Sequence, residues 1–383
     1  MKKIRNILIF IILVLPDSSR GQPFIIDNSF SSAFDFNYSL SSEHLISSIY
    51  EYSNGSLLLS GYFYSSGQGC GIVRLMPNGS QDVSLNFVTC SGSDDYFIDT
   101  IYDGNFIYFT NSWWGKLNNM GTVVDPAWSN KVNLFDPCTK MEPFIFQDGR
   151  ILAGRYPCPH DTTPEMVRYF VRLLQDGSID TSFHHNTDAF VVRLFRYDTS
   201  RLLVHSYSMT MYDSVPVYKL CRIDTSGNLD TTFHSIFTGW GGIRDCYVQP
   251  DGKIVAGGFF FIQGYPDTLN LIRLNVDGSL DSTFNNFNNM NYGVYPYKQI
   301  ITICPTSDGG YLVGGQFIGY QGYNLSCIAK TDSNGYLDTT DFAGQGITGT
   351  VDGSQPMVNK IKKSLLADKY YVAGRFTTFN GQG

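Results

Sequence analysis

Short runs of alternating apolar residues, punctuated by Asp-Gly or Asn-Gly, recur along the whole chain. In DGKIVAGGFF, at 251–260, an Asp-Gly pair precedes an apolar run that contains a Gly pair. In RLNVDGSLDSTF, at 273–284, a second Asp-Gly pair lies between two short apolar runs. Both positions of a type I′ turn need positive φ, so these pairs predict β-hairpins. Two hairpins per repeat predict four antiparallel strands.

Weaker copies of both units are found from one end of the chain to the other. The first unit recurs at 53–63, 103–110, 148–156, 198–206, 251–260, 308–317 and 368–376. The second unit recurs at 25–34, 74–85, 116–128, 172–183, 222–233, 273–284 and 329–342. Self-similarity at a spacing of about 50 residues is typical of propellers and solenoids.

The best-formed repeat predicts the dimensions of one propeller blade. Its strands are expected at 243–249, 253–259, 269–275 and, for a short fourth strand, 279–284. Four strands in about 50 residues match a β-propeller blade. Glycine pairs such as Gly257-Gly258 and Gly314-Gly315 indicate close approach of a neighbouring backbone or blade.

The two ends of the chain carry complementary halves of one repeat. The chain begins with a second unit at 24–34 and finishes with a first unit at 360–376. Pairing these halves would leave no unpaired sheet edge. The sequence therefore predicts an all-β fold: a seven-bladed β-propeller of four-stranded antiparallel blades, the last blade closed by the N-terminal strands.

The repeat resembles the delta-60 repeat, a family found mainly in secreted bacterial proteins and often in Bacteroidetes. The segments 251–260 and 273–284 carry almost the entire pattern, and the similarity extends over most of the chain. The resemblance implies a β-propeller scaffold and no functional residues. Relatives of this kind often end in a C-terminal sorting domain, and whether one follows Gly383 is left open.

Composition and charge narrow the class of partner. The chain contains 28 Phe, 25 Tyr and 38 Gly, and only 16% of its residues are charged, which fits many short strands joined by turns. The formal net charge of −7 argues against nucleic acid, which attracts clustered Lys and Arg.

The N-terminus has the order of a secretory signal peptide. Lys2, Lys3 and Arg5 precede an apolar run at 7–15, which is followed by Pro16 and a small-x-small triplet ending at Gly21. The run is too short to span a bilayer. We expect a signal peptide at 1–21, one propeller domain at 22–383, no membrane span, and a location in the medium, at the cell surface or on the periplasmic side.

Eight cysteines in an exported chain allow up to four disulfides, and the sequence does not choose among the pairings. Cys304 with Cys327, and Cys138 with Cys158, are the pairs on adjacent predicted strands. Buried thiols are the equally open alternative. No cysteine has the spacing of a zinc site.

Charged residues that recur in the repeat are interpreted as structural. A calcium loop needs several carboxylates at alternate positions, whereas each second unit offers one or two. Short Asp side chains commonly accept hydrogen bonds within their own turn. The basic residue that opens the unit is expected to pair with its own or the next blade. We therefore expect no metal ion and no cofactor.

Features that break the repeat are the better candidates for recognition, because loops on a rigid scaffold usually carry it. The candidate ligand-binding residues lie in or beside the irregular segments of blades two to four: Trp113, Trp114, Tyr156, His160, Tyr207 and Tyr212. Packing between blades is the competing interpretation of Trp113 and Trp114.

The sequence favours an exported binding or adhesion module without catalytic activity, with an unknown protein or glycan as partner. The alternative is a carbohydrate-active propeller, either lectin-like or a hydrolase or lyase working near the central channel. No catalytic residues are predicted, because catalytic arrangements are defined in space and fold alone assigns no chemistry.

Overall fold

The structure is a computed structural model of the 383-residue chain. The residues that it describes are 10–14, 25–27, 29–30, 46–65, 68–85, 97–100, 106–109, 114–118, 122–133, 143–155, 168–286, 299–340, 344–349 and 355–381. These ranges form short strands and one helix, so the all-β prediction is confirmed.

The strands and the helix follow each other along the chain with short connections. The N-terminal half contains β1 Phe10–Val14, β2 Ile25–Ile26, β3 Ile46–Glu51, β4 Leu57–Ser65, β5 Gln68–Leu75, β6 Phe97–Thr100, β7 Phe106–Phe109, β8 Trp114–Leu117, β9 Val123–Val124, α1 Pro126–Asn133, β10 Phe144–Ile145, β11 Ile151–Gly154 and β12 Phe170–Leu173. The C-terminal half contains β13 Arg193–Arg196, β14 Arg201–His205, β15 Met211–Tyr212, β16 Val215–Pro216, β17 Leu220–Asp224, β18 Phe237–Val248, β19 Ile254–Ile262, β20 Leu269–Leu274, β21 Gln299–Pro305, β22 Tyr311–Gln316, β23 Ile328–Thr331, β24 Ile347–Thr348, β25 Met357–Lys363, β26 Lys369–Arg375 and β27 Thr378–Phe379.

Each repeat forms one antiparallel sheet whose strands lie in chain order. Sheet one is β3-β4-β5, sheet two β6-β7-β8-β9, sheet three β10-β11-β12, sheet four β13-β14-β17, sheet five β18-β19-β20 and sheet six β21-β22-β23. The terminal sheet has the order β2-β1-β26-β25. In every sheet the turn between the first two strands lies at one end, which we call the turn end.

The predicted fourth strand is reduced to one bridging residue in most sheets. Leu280 pairs with Leu274 in sheet five, and the same bridge recurs in sheets one, three, four and six. Sheet two differs, because β9 is a true fourth strand and α1 follows it. Asp125 begins this helix by accepting a hydrogen bond from the Trp128 amide at 3.0 Å, and Pro126 occupies the first helical position.

The Asp-Gly pairs form hairpin turns, but not of the predicted type I′, because the glycine has positive φ and the preceding Asp does not. Gly252 and Gly278 have φ of 84° and 88°, in the left-handed region that favours glycine. Beside Gly278, the Asp277 carboxylate accepts hydrogen bonds from the amide and hydroxyl of Ser279, at 3.0 and 2.7 Å. Side chain and backbone therefore hold the same turn.

Neighbouring sheets pack face to face, and the glycine pairs allow this. A Cβ on Gly257 would lie 2.5 Å from Ile300 of sheet six, and a Cβ on Gly314 would lie 2.5 Å from Val358 of the terminal sheet. The expectation of close approach is confirmed. The first strands of adjacent sheets are also joined: the Asp245 carboxylate accepts a hydrogen bond from the Ile303 amide at 2.9 Å.

The two ends of the chain meet in the terminal sheet. β1 and β2 extend the C-terminal pair β25 and β26, in an antiparallel arrangement. Phe30 packs in a buried cluster with Tyr371 and Ala373 of β26 and with Ile49 of β3. The segment predicted to close the ring began at Phe24; β1 adds a strand from the segment predicted as the signal peptide.

Cys304 and Cys327, one of the two pairs that lie on adjacent predicted strands, are both buried thiols. The Cys327 thiol donates to the Pro356 carbonyl oxygen at 3.1 Å. Cys138 and Cys158 lie outside the described residues. Among the described helices, none has the length and apolar character needed to cross a membrane.

Candidate functional site

The recurrent basic and acidic residues of the repeat bind each other. In sheet five, Arg273 Nε donates to Asp281 Oδ2 at 2.7 Å, while Asp281 Oδ1 accepts from the Thr283 amide and hydroxyl at 2.9 and 2.6 Å. Arg273 also donates to the Ser333 carbonyl oxygen at 2.9 Å, in the next sheet. The structural interpretation of these residues is confirmed.

The same ion pair recurs in the other sheets, as Arg74–Asp82, Lys116–Asp125, Arg172–Asp180, Arg222–Asp230 and Lys330–Asp338. Each carboxylate is thus occupied by its own repeat. Within the described ranges, no group of three or more His, Cys, Asp or Glu side chains is arranged to hold a metal ion.

Three of the six predicted ligand-binding residues lie within the described ranges, and two of these three are buried. Trp114 is 2% exposed and packs with Trp128, which fits packing between blades rather than ligand binding. Tyr212 is fully buried, and its hydroxyl donates to the Gly227 carbonyl oxygen at 2.7 Å. Tyr207 is half-buried and follows β14, which ends at His205.

The other three predicted residues, Trp113, Tyr156 and His160, lie outside the described residues and stay predictions.

An exposed tryptophan lies close to Tyr207 in the next sheet. β18 begins at Phe237 rather than at the predicted Ile243, and this extension carries Trp240. The Trp240 ring is 55% exposed and packs on Phe259 and Phe261, with ring centroids 5.0 and 6.4 Å away. The aromatic pair beneath supports the ring, and more than half of the residue's surface is exposed.

Glycines on both sides of Trp240 set its position. Gly239 and Gly241 have φ of 60° and 95°, which L-residues with side chains rarely adopt. Gly242 is needed for a different reason: a Cβ there would lie 2.6 Å from both the His205 and the Tyr207 rings. The Gly-Trp-Gly-Gly sequence therefore turns Trp240 outward and lets sheet four pack against β18.

A row of hydrogen bonds links Tyr207 to sheets five and six. Arg244 donates to the Tyr207 hydroxyl through Nη1 at 2.7 Å and to Gln299 Oε1 through Nε at 3.1 Å. Gln299 in turn donates to Gln316 Oε1 at 2.7 Å. These planar polar groups are held in fixed orientations across three sheets.

The loop after β14 contains backbone strain beside this row. Tyr218 and Lys219 are consecutive residues in the left-handed region, with φ of 45° and 71°. Such conformations cost roughly 1–3 kcal/mol each and cluster at binding and catalytic sites. Lys219 Nζ donates to the Tyr207 and Gly241 carbonyl oxygens, and burial lowers the pKa of this amine. Tyr218 itself is 57% exposed.

Tyr207, Tyr218, Lys219, Trp240 and Arg244 together form what we call the rim site. Tyr207, Tyr218 and Lys219 follow β14 and Trp240 lies in the first half of β18, at the end of sheets four and five that is opposite to the turn end; Arg244 lies further along β18 and reaches Tyr207 through its guanidinium. The site offers two exposed aromatic rings and an array of hydrogen-bonding groups. This combination suits recognition of a ligand with both planar apolar faces and polar edges.

His205 supports the rim site from beneath. It is 1% exposed, and its Nε2 accepts a hydrogen bond from the Ile243 amide at 3.2 Å, so the proton of the neutral ring resides on Nδ1. Burial, followed by the charge of Arg193, lowers its pKa to about 3. The ring therefore stays neutral at physiological pH.

Tyr207 is among the residues that the sequence singles out, whereas Trp240 is not. The sequence does distinguish Trp240 from the repeat, because this residue stands among glycines at 239–242 and lies outside the repeated units. A glycine-rich segment of this kind is typical of a turn, so its pattern does not predict a strand.

Five segments of the chain match a family model described as "Domain of unknown function (DUF5122) beta-propeller". They are 53–85, 167–183, 200–233, 249–284 and 306–340. The chain is a β-propeller repeat protein. Each matched segment falls on a repeat sheet, and the sheets of this propeller are called blades below.

Several solved structures are similar to the chain at low identity. They include a protein of unknown function from Bacteroides caccae, with 10% identity, TM-score 0.34, and coverage of 79% of this chain and 96% of that one. The extracellular domain of a putative hybrid two-component system from B. thetaiotaomicron has 13% identity, TM-score 0.42, and coverage of 91% and 41%. A calcium-binding regucalcin from Agrobacterium tumefaciens has 12% identity, TM-score 0.40, and coverage of 92% and 99%.

Those similarities are too low to carry an argument about function. No curated protein matches the chain.

Proposed function

We propose that the protein is an exported binding or adhesion module, built as a seven-bladed propeller whose last blade is closed by the N-terminal strands. Its partner, a protein or a glycan, is held at the rim site. Fold alone assigns no activity, so the proposal rests on the site.

Contacts between the first and last blades support ring closure. Lys362 donates to the Ile49 carbonyl oxygen at 2.7 Å. Glu51 accepts from the Ser364 and Tyr371 hydroxyls, both at 2.7 Å. These bonds join residues more than 300 positions apart, as a ring requires.

Export is the second part of the proposal. β1 lies inside the predicted signal peptide, so cleavage after Gly21 would leave the N-terminal part of the closure to β2 and to Phe30, which packs with β26. N-terminal sequencing of protein recovered from outside the cytoplasm is expected to begin at Gln22. Recovery of an uncleaved chain would contradict this part.

Trp240 is the observation that carries the binding proposal. This large aromatic residue is 55% exposed, packs on Phe259 and Phe261, and lies between left-handed glycines. Exposed aromatic rings with fixed orientation are the residues that most often dominate binding energy. The same ring favours the lectin-like version of the alternative, because sugars present flat apolar faces to such platforms.

The central channel gives less support to hydrolysis. Asp245, on the first strand of blade five, has both carboxylate oxygens engaged, by the Cys246 and Ile303 amides at 2.9 Å each. Burial raises the pKa of Asp245, while the charge of Lys360 opposes the rise. A carboxylate tied to two backbone amides is suited to holding adjacent blades together.

The test is a glycan array and a surface-protein array, probed with the purified mature protein, with Trp240→Ala and with Tyr336→Ala. Tyr336 is the matched control, since it is 57% exposed but lies near the turn end. Binding is expected to weaken about 30-fold or more in Trp240→Ala, equivalent to about 2 kcal/mol for a hot-spot residue, and to persist in Tyr336→Ala. Equal binding by all three proteins would refute the rim site.

A further inference from the structure

A cavity lies at the turn end, on the side of the molecule away from the rim site. Its volume is about 740 Å³, and it lies between the first strands of blades three, four and five. Phe144, Phe195 and Tyr247 line it, and each belongs to a different hydrophobic cluster. The cavity therefore lies where three separate hydrophobic clusters come together. We call it the axial cavity. Its size is that of a small-molecule pocket.

Arg196 lies at the wall of the axial cavity with most of its donors unused. Its guanidinium carbon is 4.6 Å from the centre of the Phe144 ring, and Nη2 donates to the Ile145 carbonyl oxygen at 3.4 Å. A guanidinium has five N–H donors in a planar fork that matches carboxylate, sulfonate or phosphate oxygens. Within the described ranges Arg196 forms no ion pair, unlike the arginines of the repeat.

Asp198, the acidic residue of the cavity wall, does not neutralise Arg196. Its carboxylate is bound by Arg201 Nη2 at 2.7 Å and by the Ser200 and Arg201 amides at 2.8 Å each. Burial raises the pKa of Asp198, and these hydrogen bonds outweigh it and lower the pKa below its ordinary value. The charge of Asp198 is thus already compensated within its own turn.

The first strands around the axis are basic, although the protein as a whole is acidic. The strands β3, β6, β10, β13, β18, β21 and β25 carry six Lys or Arg and three Asp or Glu. The whole chain carries 27 Lys or Arg and 34 Asp or Glu. Of these basic residues, Arg196 lines the axial cavity, together with the Asp198 carboxylate that Arg201 already binds.

We propose that the axial cavity binds a small organic anion with a planar apolar body. The anionic group bonds to the Arg196 guanidinium, and the apolar body lies against Phe195 and Tyr247. Tyr247 is half-buried and packs on Tyr311, with ring centroids 6.1 Å apart, so its position is fixed before a ligand arrives. This site is independent of the rim site, which lies at the other end of the blades.

Anilinonaphthalene sulfonate is a suitable probe, because it joins an aromatic body to a sulfonate and its fluorescence rises in apolar surroundings. The mature protein is expected to bind it saturably with one-to-one stoichiometry. Arg196→Gln is expected to weaken binding tenfold or more, and Arg196→Lys, which keeps the charge, by less. The uncharged analogue phenylnaphthylamine is expected to bind wild type and Arg196→Gln equally.

Two variants exclude other sources of the signal. Arg150→Gln is the matched control, because Arg150 also lies over a phenylalanine, 5.3 Å from the centre of the Phe146 ring, but outside the cavity. Trp240→Ala excludes stacking at the rim site. Both are expected to keep wild-type affinity. Absence of saturable binding, unchanged affinity in Arg196→Gln, or equal loss in Arg150→Gln or Trp240→Ala would overturn the proposal.

Discussion

Replacing Asp281 by Asn tests the role assigned to the recurrent ion pair. The carboxylate is 3% exposed, and Oδ2 accepts from Arg273 Nε at 2.7 Å and from Lys253 Nζ at 2.8 Å. Asn keeps the Oδ1 acceptor for Thr283 but removes the charge that both cations face. A hydrogen bond to a charged group contributes about 1.5–3 kcal/mol, and breaking a buried pair costs about 3–5 kcal/mol. We expect the free energy of unfolding to fall by about 3–5 kcal/mol.

Asp82→Asn is the matched control for this prediction. Asp82 makes the same contacts with Arg74 and Ser84, but its side chain is 18% exposed, against 4% for Asp281, and it has one cationic partner rather than two. We expect a loss of about 1–2 kcal/mol there. Urea unfolding followed by tryptophan fluorescence measures both values. Equal losses in the two variants would refute the reasoning that burial and the second cation decide the cost.

Three further outcomes follow from the structure. Gly242→Ala is expected to lower the unfolding temperature and shift the His205 ring, because the added Cβ would lie 2.6 Å from it; a wild-type temperature would contradict this. Burial raises the pKa of Asp230, but hydrogen bonds from Thr232 and Arg222 lower it to about 2. The stability this carboxylate contributes is therefore present above about pH 4 and lost as pH falls toward 2; an identical acid profile in Asp230→Asn would argue against it. Burial raises the pKa of Cys304 to about 11, so its thiol is expected to react with dithionitrobenzoate only after unfolding, and rapid reaction of the native protein would contradict this.

The sequence predicts the repeat well because the interactions that form it are local. Asp-Gly turns, glycine pairs and the Arg–Asp pair are each set within one blade or between neighbours, so their spacing predicts their structure. The fourth strand was overestimated, because a turn followed by one bridging residue has the same pattern as a turn followed by a strand. Leu280, which pairs with Leu274 alone, illustrates this difference.

The candidate site was harder to predict, because its residues come together only through packing between blades. Tyr207, Lys219 and Trp240 belong to segments without repeat character, and nothing in their spacing places them side by side. Tyr212 shows the opposite error: an irregular loop suggested exposure, whereas the side chain is buried and bonds to Gly227. The axial cavity forms where the first strands of three neighbouring blades meet, and no local sequence pattern predicts it.

Closure of the ring is the central architectural claim of the proposal, and Glu51 offers its most direct test. This carboxylate is 3% exposed and accepts hydrogen bonds from Ser364, Leu365 and Tyr371 at 2.6–2.7 Å, joining the first blade to the last. Hydrogen–deuterium exchange should be compared between wild type, Glu51→Ala and Glu51→Gln, which keeps an acceptor oxygen. A closed ring predicts faster exchange in Glu51→Ala at both β3 and β25–β26, with a smaller effect in Glu51→Gln. Faster exchange confined to β3 would contradict closure.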